Sequence, residues 1–215
     1  MKLRRTANAG VLLELDGVTI LMDGVCREVK PYPATPPQER EALQRSFPDA
    51  VCFTHAHKDH YDPAFAAAYE KQTGGAIFGP QTLPGCNATM EDSVVKGVYI
   101  LPVFSRHIGV AGKDIDHASF VLQGSRCVWF LGDAAPMQWK GRAYLPKPDL
   151  LLVPYAYANT EASWNFTKSL GAEKIVLLHM PEREHDTIGL WKAVEGVTAG
   201  DPMLIPLPMQ HTITI

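Results

Sequence analysis

Cysteine is scarce in this 215-residue sequence. Cys26, Cys52, Cys86 and Cys127 stand far apart with no Cys-x-x-Cys pair. That spacing suggests neither a thiolate zinc knuckle nor a disulfide framework, and the four read as free thiols of a reducing compartment. Charge of one sign is also missing: 20 Lys and Arg against 23 Asp and Glu give a formal net charge of -3, with no basic surplus to draw nucleic acid or an anionic membrane surface. No apolar run approaches the ~18 residues of a membrane span. The basic start through Arg5 leads into an apolar stretch that Glu14 and Asp16 interrupt before an export signal could form. Repeats, low-complexity tracts and interdomain linkers are absent. The expectation is a single cytoplasmic domain over residues 1–215 whose partner is a small molecule, not nucleic acid or membrane.

What is present is a regular alternation of strands, turns and helices. Asp16-Gly17 between Gly10 and Met22 predicts a tight hairpin whose second strand ends on Asp23, and Gly124-Ser125 predicts another between Ser119–Leu122 and Cys127–Leu131. Thr35, Pro36 and Gln38 fit a capping box opening a helix into Arg45, and Asp62-Pro63 opens an alanine-rich helix to about Gln72. Further strands are expected at Asp49–Phe53, Ala76–Gly79, Gly97–Phe104, Leu150–Val153, Lys174–Leu178 and Thr212–Ile215. Two more helices are expected at Thr160–Leu170 and about Asp186–Val194. Asp23, His55, His107, Asp133 and His179 each follow a predicted strand closely, so one end of the sheets would gather them into one cleft.

The eight histidines are unevenly spread, and three fall within Thr54-His55-Ala56-His57-Lys58-Asp59-His60. A short loop carrying His, His, Asp and His can aim imidazoles and a carboxylate in two directions, which suits two neighbouring metal ions. With His107 after a strand, Gly132-Asp133 ending a strand and His179 ending another, the pattern resembles the five-part signature of the metallo-β-lactamase superfamily, from Asp23 to His179. The resemblance implies an α/β fold, a four-layer αβ/βα sandwich with a dinuclear site at one edge of the sheets. It further implies that His55, His57 and His107 hold one metal, Asp59, His60 and His179 the other, and that Asp133 bridges both. Asp59 would also orient the nucleophilic water. Asp23 looks like the acidic residue that supports a metal-bound histidine from behind, with a plain strand-end cap as the alternative.

Two histidines compete for the third part of the signature. His107 directly follows the Val98–Phe104 strand and is favoured; His117 then becomes a catalytic proton donor or substrate contact, or else a structural histidine. Arg106 is a candidate contact for an anionic substrate group, and Tyr155, Tyr157 and Asn159 are candidate pocket residues, against packing or solvation as the alternatives. Cys52 reads as a buried thiol in its strand, and His185 and His211 as structural or surface residues.

Within the superfamily, the chain lacks the cysteine that exported antibiotic-hydrolysing members place at the Asp133 position. It also lacks room for the appended or inserted domains of glyoxalase II-like, messenger-RNA-processing and DNA-repair members, and the basic arm of transfer-RNA 3′ processing members. What remains resembles the compact ascorbate-6-phosphate lactonase-like group. The expectation is a hydrolase that uses metal-activated water on an ester, lactone or phosphodiester of a small anionic molecule, with two divalent ions, Zn2+ first and Mn2+ or Fe2+ as alternatives. The competing expectations are an iron-dependent redox enzyme of the persulfide dioxygenase kind, an RNA or nucleotide phosphodiesterase, and a catalytically idle metal-bound module.

Overall fold

A computed structural model describes residues 1–109, 114–142 and 144–215. Two seven-stranded sheets form its centre. The first holds β1 (Lys2–Arg5), β2 (Val11–Leu15), β3 (Val18–Met22), β4 (Ala50–Cys52), β5 (Ile77–Phe78), β6 (Ala88–Thr89) and β14 (Thr212–Thr214), in the order β14-β1-β2-β3-β4-β5-β6. The second holds β7 (Ser93–Val95), β8 (Val98–Arg106), β9 (Asp116–Gln123), β10 (Cys127–Phe130), β11 (Leu150–Pro154), β12 (Lys174–Leu178) and β13 (Leu204–Pro206), in the order β13-β12-β11-β10-β9-β8-β7. In each sheet an antiparallel half adjoins a parallel half, β3 to β6 in one and β10 to β13 in the other.

Strand periodicity assembles the layers. Along β11 and β12, Leu150, Leu152, Val176 and Leu178 meet Ile20, Met22, Ala50 and Cys52 of the other sheet in the central core. The intervening Leu151, Val153, Ile175 and Leu177 face the opposite way, as a pleat of period two requires. There they pack on Trp164 of α3 (Glu161–Ser169) and on Leu190 and Val194 of α4 (Leu190–Thr198). The outer face of the first sheet, through Leu21, Val51 and Ile77, is covered by Leu43 of α1 (Pro37–Arg45) and by Phe65, Ala66 and Tyr69 of α2 (Pro63–Thr73). The result is the four-layer αβ/βα sandwich expected. Cys52 is buried in the central core, as read from its apolar neighbours.

Both hairpins form at the expected dipeptides, with Asp16 and Gly17 at positive φ, and Asp62 caps α2 through Phe65 N–H. Several boundaries move. The capping box at Thr35 does not form: the Thr35 hydroxyl accepts from Cys26 N–H instead, and α1 begins after Pro36 without a side-chain cap. The last helix starts at Leu190, four residues after Asp186, whose carboxylate accepts from Leu190 and Trp191 N–H. Strands β1, β6, β7 and β13 were not expected. They have two to four residues each, too short for periodicity to register. Among the described residues no helix is long and apolar enough to cross a membrane.

Candidate metal centre

Strands β3, β4, β8, β10 and β12 deliver Asp23, the 54–60 loop, His107, Asp133 and His179 just beyond their C-terminal ends. The loop turns tightly: His57 C=O accepts from both His60 N–H and Tyr61 N–H, which brings His60 back beside His55, ring centroids 4.2 Å apart. His107 pairs with Ala134 in an isolated antiparallel bridge, and Ile108 N–H donates to Asp133 C=O, so the end of β8 lies directly along Asp133. Gly132, at φ +53, could carry no side chain there, since a Cβ would stand 2.5 Å from Thr54 Cγ2 and 3.0 Å from His117 Nε2.

Three groups of ligand atoms converge, each within 4.8 Å: His55, His57 and His107; His55, His60 and Asp133; and Asp59, His60 and His179. Asp133 Oδ2 sits among them, 3.4 Å from His60 Nε2 and 3.6 Å from the Nε2 atoms of His107 and His179. The Nε2 atoms of His55, His60 and His107 and Oδ1 of Asp133 are buried without a hydrogen-bond partner. Buried polar atoms are rarely orphaned, and so many facing one another fit a bound cation.

The far sides of the rings are tied off. Asp23 is wholly buried, accepting from Thr54 N–H at 2.8 Å, from the Thr54 hydroxyl at 2.6 Å and from His60 Nδ1–H at 2.8 Å. With its proton committed to Asp23, the Thr54 hydroxyl is left to accept from His55 Nδ1–H at 2.9 Å. His107 Nδ1–H donates to Ile108 C=O at 2.8 Å. Each arrangement puts the proton on Nδ1 and the lone pair on Nε2, the form that binds metal.

The electrostatics agree. Burial pushes His55 well below the usual imidazole range, with His60 and His117 adding to the effect. Burial lowers His57 too. Burial opposes charge on His60 as well, but Asp133 and Asp23 on either side outweigh it and raise His60 well above its ordinary value. Burial likewise opposes ionisation of Asp133, yet His179 and His60 hold its carboxyl well below the carboxylate range. Two carboxylates around His60 therefore make a place that favours positive charge.

Residues 2–185 match the family described as Beta-lactamase superfamily domain. The chain belongs to this family. None of the curated proteins matches it in sequence. Among solved structures it is similar to an isothiocyanate hydrolase from Delia radicum gut bacteria, with 19% identity, TM-score 0.70 and 100% of this chain on 99% of the other. It is similar also to a possible metal-dependent hydrolase from Veillonella parvula, with 17% identity, TM-score 0.73 and the same coverages. A diiron β-hydroxylase from Streptomyces venezuelae shares the fold at 14% identity and TM-score 0.67, this chain spanning 54% of that one. The superfamily resemblance read from the five-part pattern between Asp23 and His179 is borne out by the family match.

The family chain brings together Asp23, His55, His57, Asp59, His60, His107, Asp133 and His179. His117 falls in none of the converging groups. It lies within β9 opposite Ser105, its Nδ1 2.7 Å from the Ser105 hydroxyl and its ring 5.0 Å from that of His55. Of the two histidines, His107 is the one that stands in a converging group. His117 is 1% exposed, burial lowers its pKa to about 3, and its Nε2 carries no partner.

Tyr157 requires a correction. It is fully buried, accepting from Trp139 Nε1–H and donating to Ala134 C=O, both at 2.8 Å, so it is a satisfied core residue. Tyr155 is half-buried with its ring 6.1 Å from His179. Arg106 is exposed next to His107, and among the described residues no hydrogen bond ties Asn159 to the cluster. The sequence reading missed Tyr32, whose ring meets His179 edge-on at 4.4 Å. Tyr32 also walls a cavity of about 670 Å3 with Glu28, Lys30, Glu182 and His185, so His185, read as structural or surface, faces this cavity. The proline-rich loop around Tyr32 offered no spacing signal. Thr54 and Asn8, which hold the rings from behind, were missed for the same reason.

Proposed function

We propose that this chain is a metal-dependent hydrolase with a dinuclear centre, acting on an ester, lactone or phosphodiester bond of a small, anionic molecule in the cytoplasm. The observation that supports it is the convergence of unpartnered, buried Nε2 and carboxylate oxygen atoms around Asp133. His55, His57 and His107 would hold one ion, and Asp59, His60 and His179 the other, with Asp133 between them. Two divalent ions held there would supply an acidified water and polarise the bond to be cleaved. Zn2+ is the first choice for this donor set, and Mn2+ and Fe2+ also suit it.

The chain's own groups do the rest. Asp59 is largely buried and, despite burial, held below its usual pKa by the His179 hydrogen bond and by His60. It stays a carboxylate and can accept a hydrogen bond from the attacking water. The phenols of Tyr32 and Tyr155 flank His179, and burial raises both above the usual range. Both keep their protons and can donate to a substrate oxygen. Arg106, exposed beside His107, would meet an anionic group on the substrate.

The test is metal analysis of purified protein, followed by a panel of lactones, thioesters, phosphodiesters and phosphomonoesters on metal-reconstituted protein, with His60→Ala and Asp59→Asn as controls. About two equivalents of metal and hydrolysis lost in both variants are expected. Absence of bound metal, or variants as active as the parent, would overturn the reading. The fold shared with a diiron β-hydroxylase keeps an iron-dependent redox enzyme as the second reading. Bound iron with a visible absorption band and oxygen consumption would favour it.

A further inference from the structure

His60 and His179 stand with ring centroids 5.0 Å apart, yet different chemistry backs each of them. Behind His60 is the Asp23 carboxylate, which can only accept, so the Nδ1 proton is fixed. Behind His179 is Asn8, 0% exposed, with its carboxamide nitrogen 3.4 Å from His179 Nδ1 and its Oδ1 unpartnered. His179 is the sole hydrogen-bond contact of that side chain among the described residues. An amide serves either form of the ring. Its NH2 group can donate to a bare Nδ1, or the amide can turn over so that Oδ1 accepts from Nδ1–H. The first form leaves the proton on Nε2, directed at Asp59 Oδ2 3.3 Å away. The second leaves the Nε2 lone pair free.

Asn8 is itself held firmly. Its backbone C=O accepts from His179 N–H at 3.2 Å and from Arg5 Nη2 and Nε at 2.7 and 3.2 Å. Arg5 is 4% exposed and also donates to Leu207 C=O at 2.8 Å and to Met180 C=O, the carbonyl following His179, at 3.2 Å. His179 adopts φ +54, a left-handed backbone that residues with a Cβ rarely take without such support.

We propose that Asn8 is a positioning residue that holds the His179 ring from behind and thereby sets how tightly the Asp59, His60 and His179 group holds a metal ion, with Arg5 fixing Asn8 in place. The proposal rests on the metal-centre reading above and adds to it a residue that touches neither ion nor substrate. An amide oxygen is a weaker acceptor than a carboxylate, so Asn8 backs its ring less strongly than Asp23 backs His60.

The experiment is titration of the metal-stripped parent, Asn8→Asp and Asn8→Leu with Co2+, read by visible absorption and by chelator competition, with thermal unfolding of each protein in parallel. The parent is expected to take up two equivalents. One of them should bind roughly 10-fold more tightly in Asn8→Asp and roughly 10- to 100-fold more weakly in Asn8→Leu, with the other equivalent little changed. A residue with a merely structural role would lower the unfolding temperature of both variants without moving one equivalent in opposite directions. If Asn8→Leu does not fold, Asn8→Asp decides alone. Unchanged or weakened Co2+ binding in folded Asn8→Asp overturns the role of Asn8 and leaves the metal centre standing. Failure of the parent to bind Co2+ overturns the metal centre and, with it, this proposal.

Discussion

At the hairpin end of the sandwich, Asp16 in the β2–β3 turn accepts from the Ser125 N–H and hydroxyl in the β9–β10 turn at 2.6 and 2.5 Å. Nearby, Asp49 takes Thr19 N–H at 2.8 Å and pairs with Lys96. At the opposite end, three imidazole nitrogens and a carboxylate oxygen of the converging cluster lie buried with no partner. The same two sheets close one edge with satisfied turns and leave a polar cluster unsatisfied at the other. An unsatisfied buried polar atom costs about 1–3 kcal/mol, so the ligand end is built for something that completes it. The hairpin end is complete in itself.

Substitutions at the two ends should therefore differ in kind as well as in size. The largest effect is expected from His60→Ala: metal affinity should fall well beyond the roughly 10- to 100-fold of an outer-partner change, as equilibrium dialysis would show. Unchanged metal content would dissolve the contrast between the ends. Between the ends, Phe120→Ala in the central core should lower unfolding free energy by about 3–5 kcal/mol in denaturant titration. Bound metal should still be retained at saturating concentration.

Asp23→Asn keeps the shape behind His60 but makes a poorer acceptor, and about 10- to 100-fold weaker metal binding is expected. A smaller effect belongs to Asp62, the cap of α2 just past the ligand loop. Burial would raise its pKa, but Arg40 and the Phe65 N–H lower it below the usual value. A lowered folded pKa means that Asp62 contributes stability above its unfolded value of about 3.9, lost as pH falls through the folded value. Asp62→Ala should cost about 1 kcal/mol at neutral pH, and its difference from the parent should shrink in acid unfolding curves below about pH 4. The smallest effect is expected from Lys96→Ala at the hairpin end, within about 1 kcal/mol and reduced further by salt, with metal affinity unchanged.

Much of this contrast is legible in the residues. Asp16-Gly17, both at positive φ, and the turn dipeptide Gly124-Ser125 mark the closed end, and the His55–His60 string marks the open one through its density of ligand types. The helix capped by Asp62 was readable because Pro63 and Phe65 N–H complete a purely local motif. The capping box at Thr35 misled because its hydroxyl met a distant donor, Cys26 N–H. Short edge strands such as β6 and β13 carry too few residues for any period and exist through their neighbours' hydrogen bonds.

The sequence by itself determined the layered α/β plan, the hairpins and the local ligand loop, because these follow from backbone geometry over a few residues. Only the tertiary structure set His107 and not His117 among the converging ligand atoms, since the bridge to Ala134 sets the end of β8 against Asp133 while the β8–β9 register carries His117 inward. It likewise sent Tyr157 to the core and brought Asn8 and Tyr32 to His179 from 171 and 147 residues away in the chain. Spacing along one strand is fixed locally, but which strands end side by side depends on how two sheets and their helices pack.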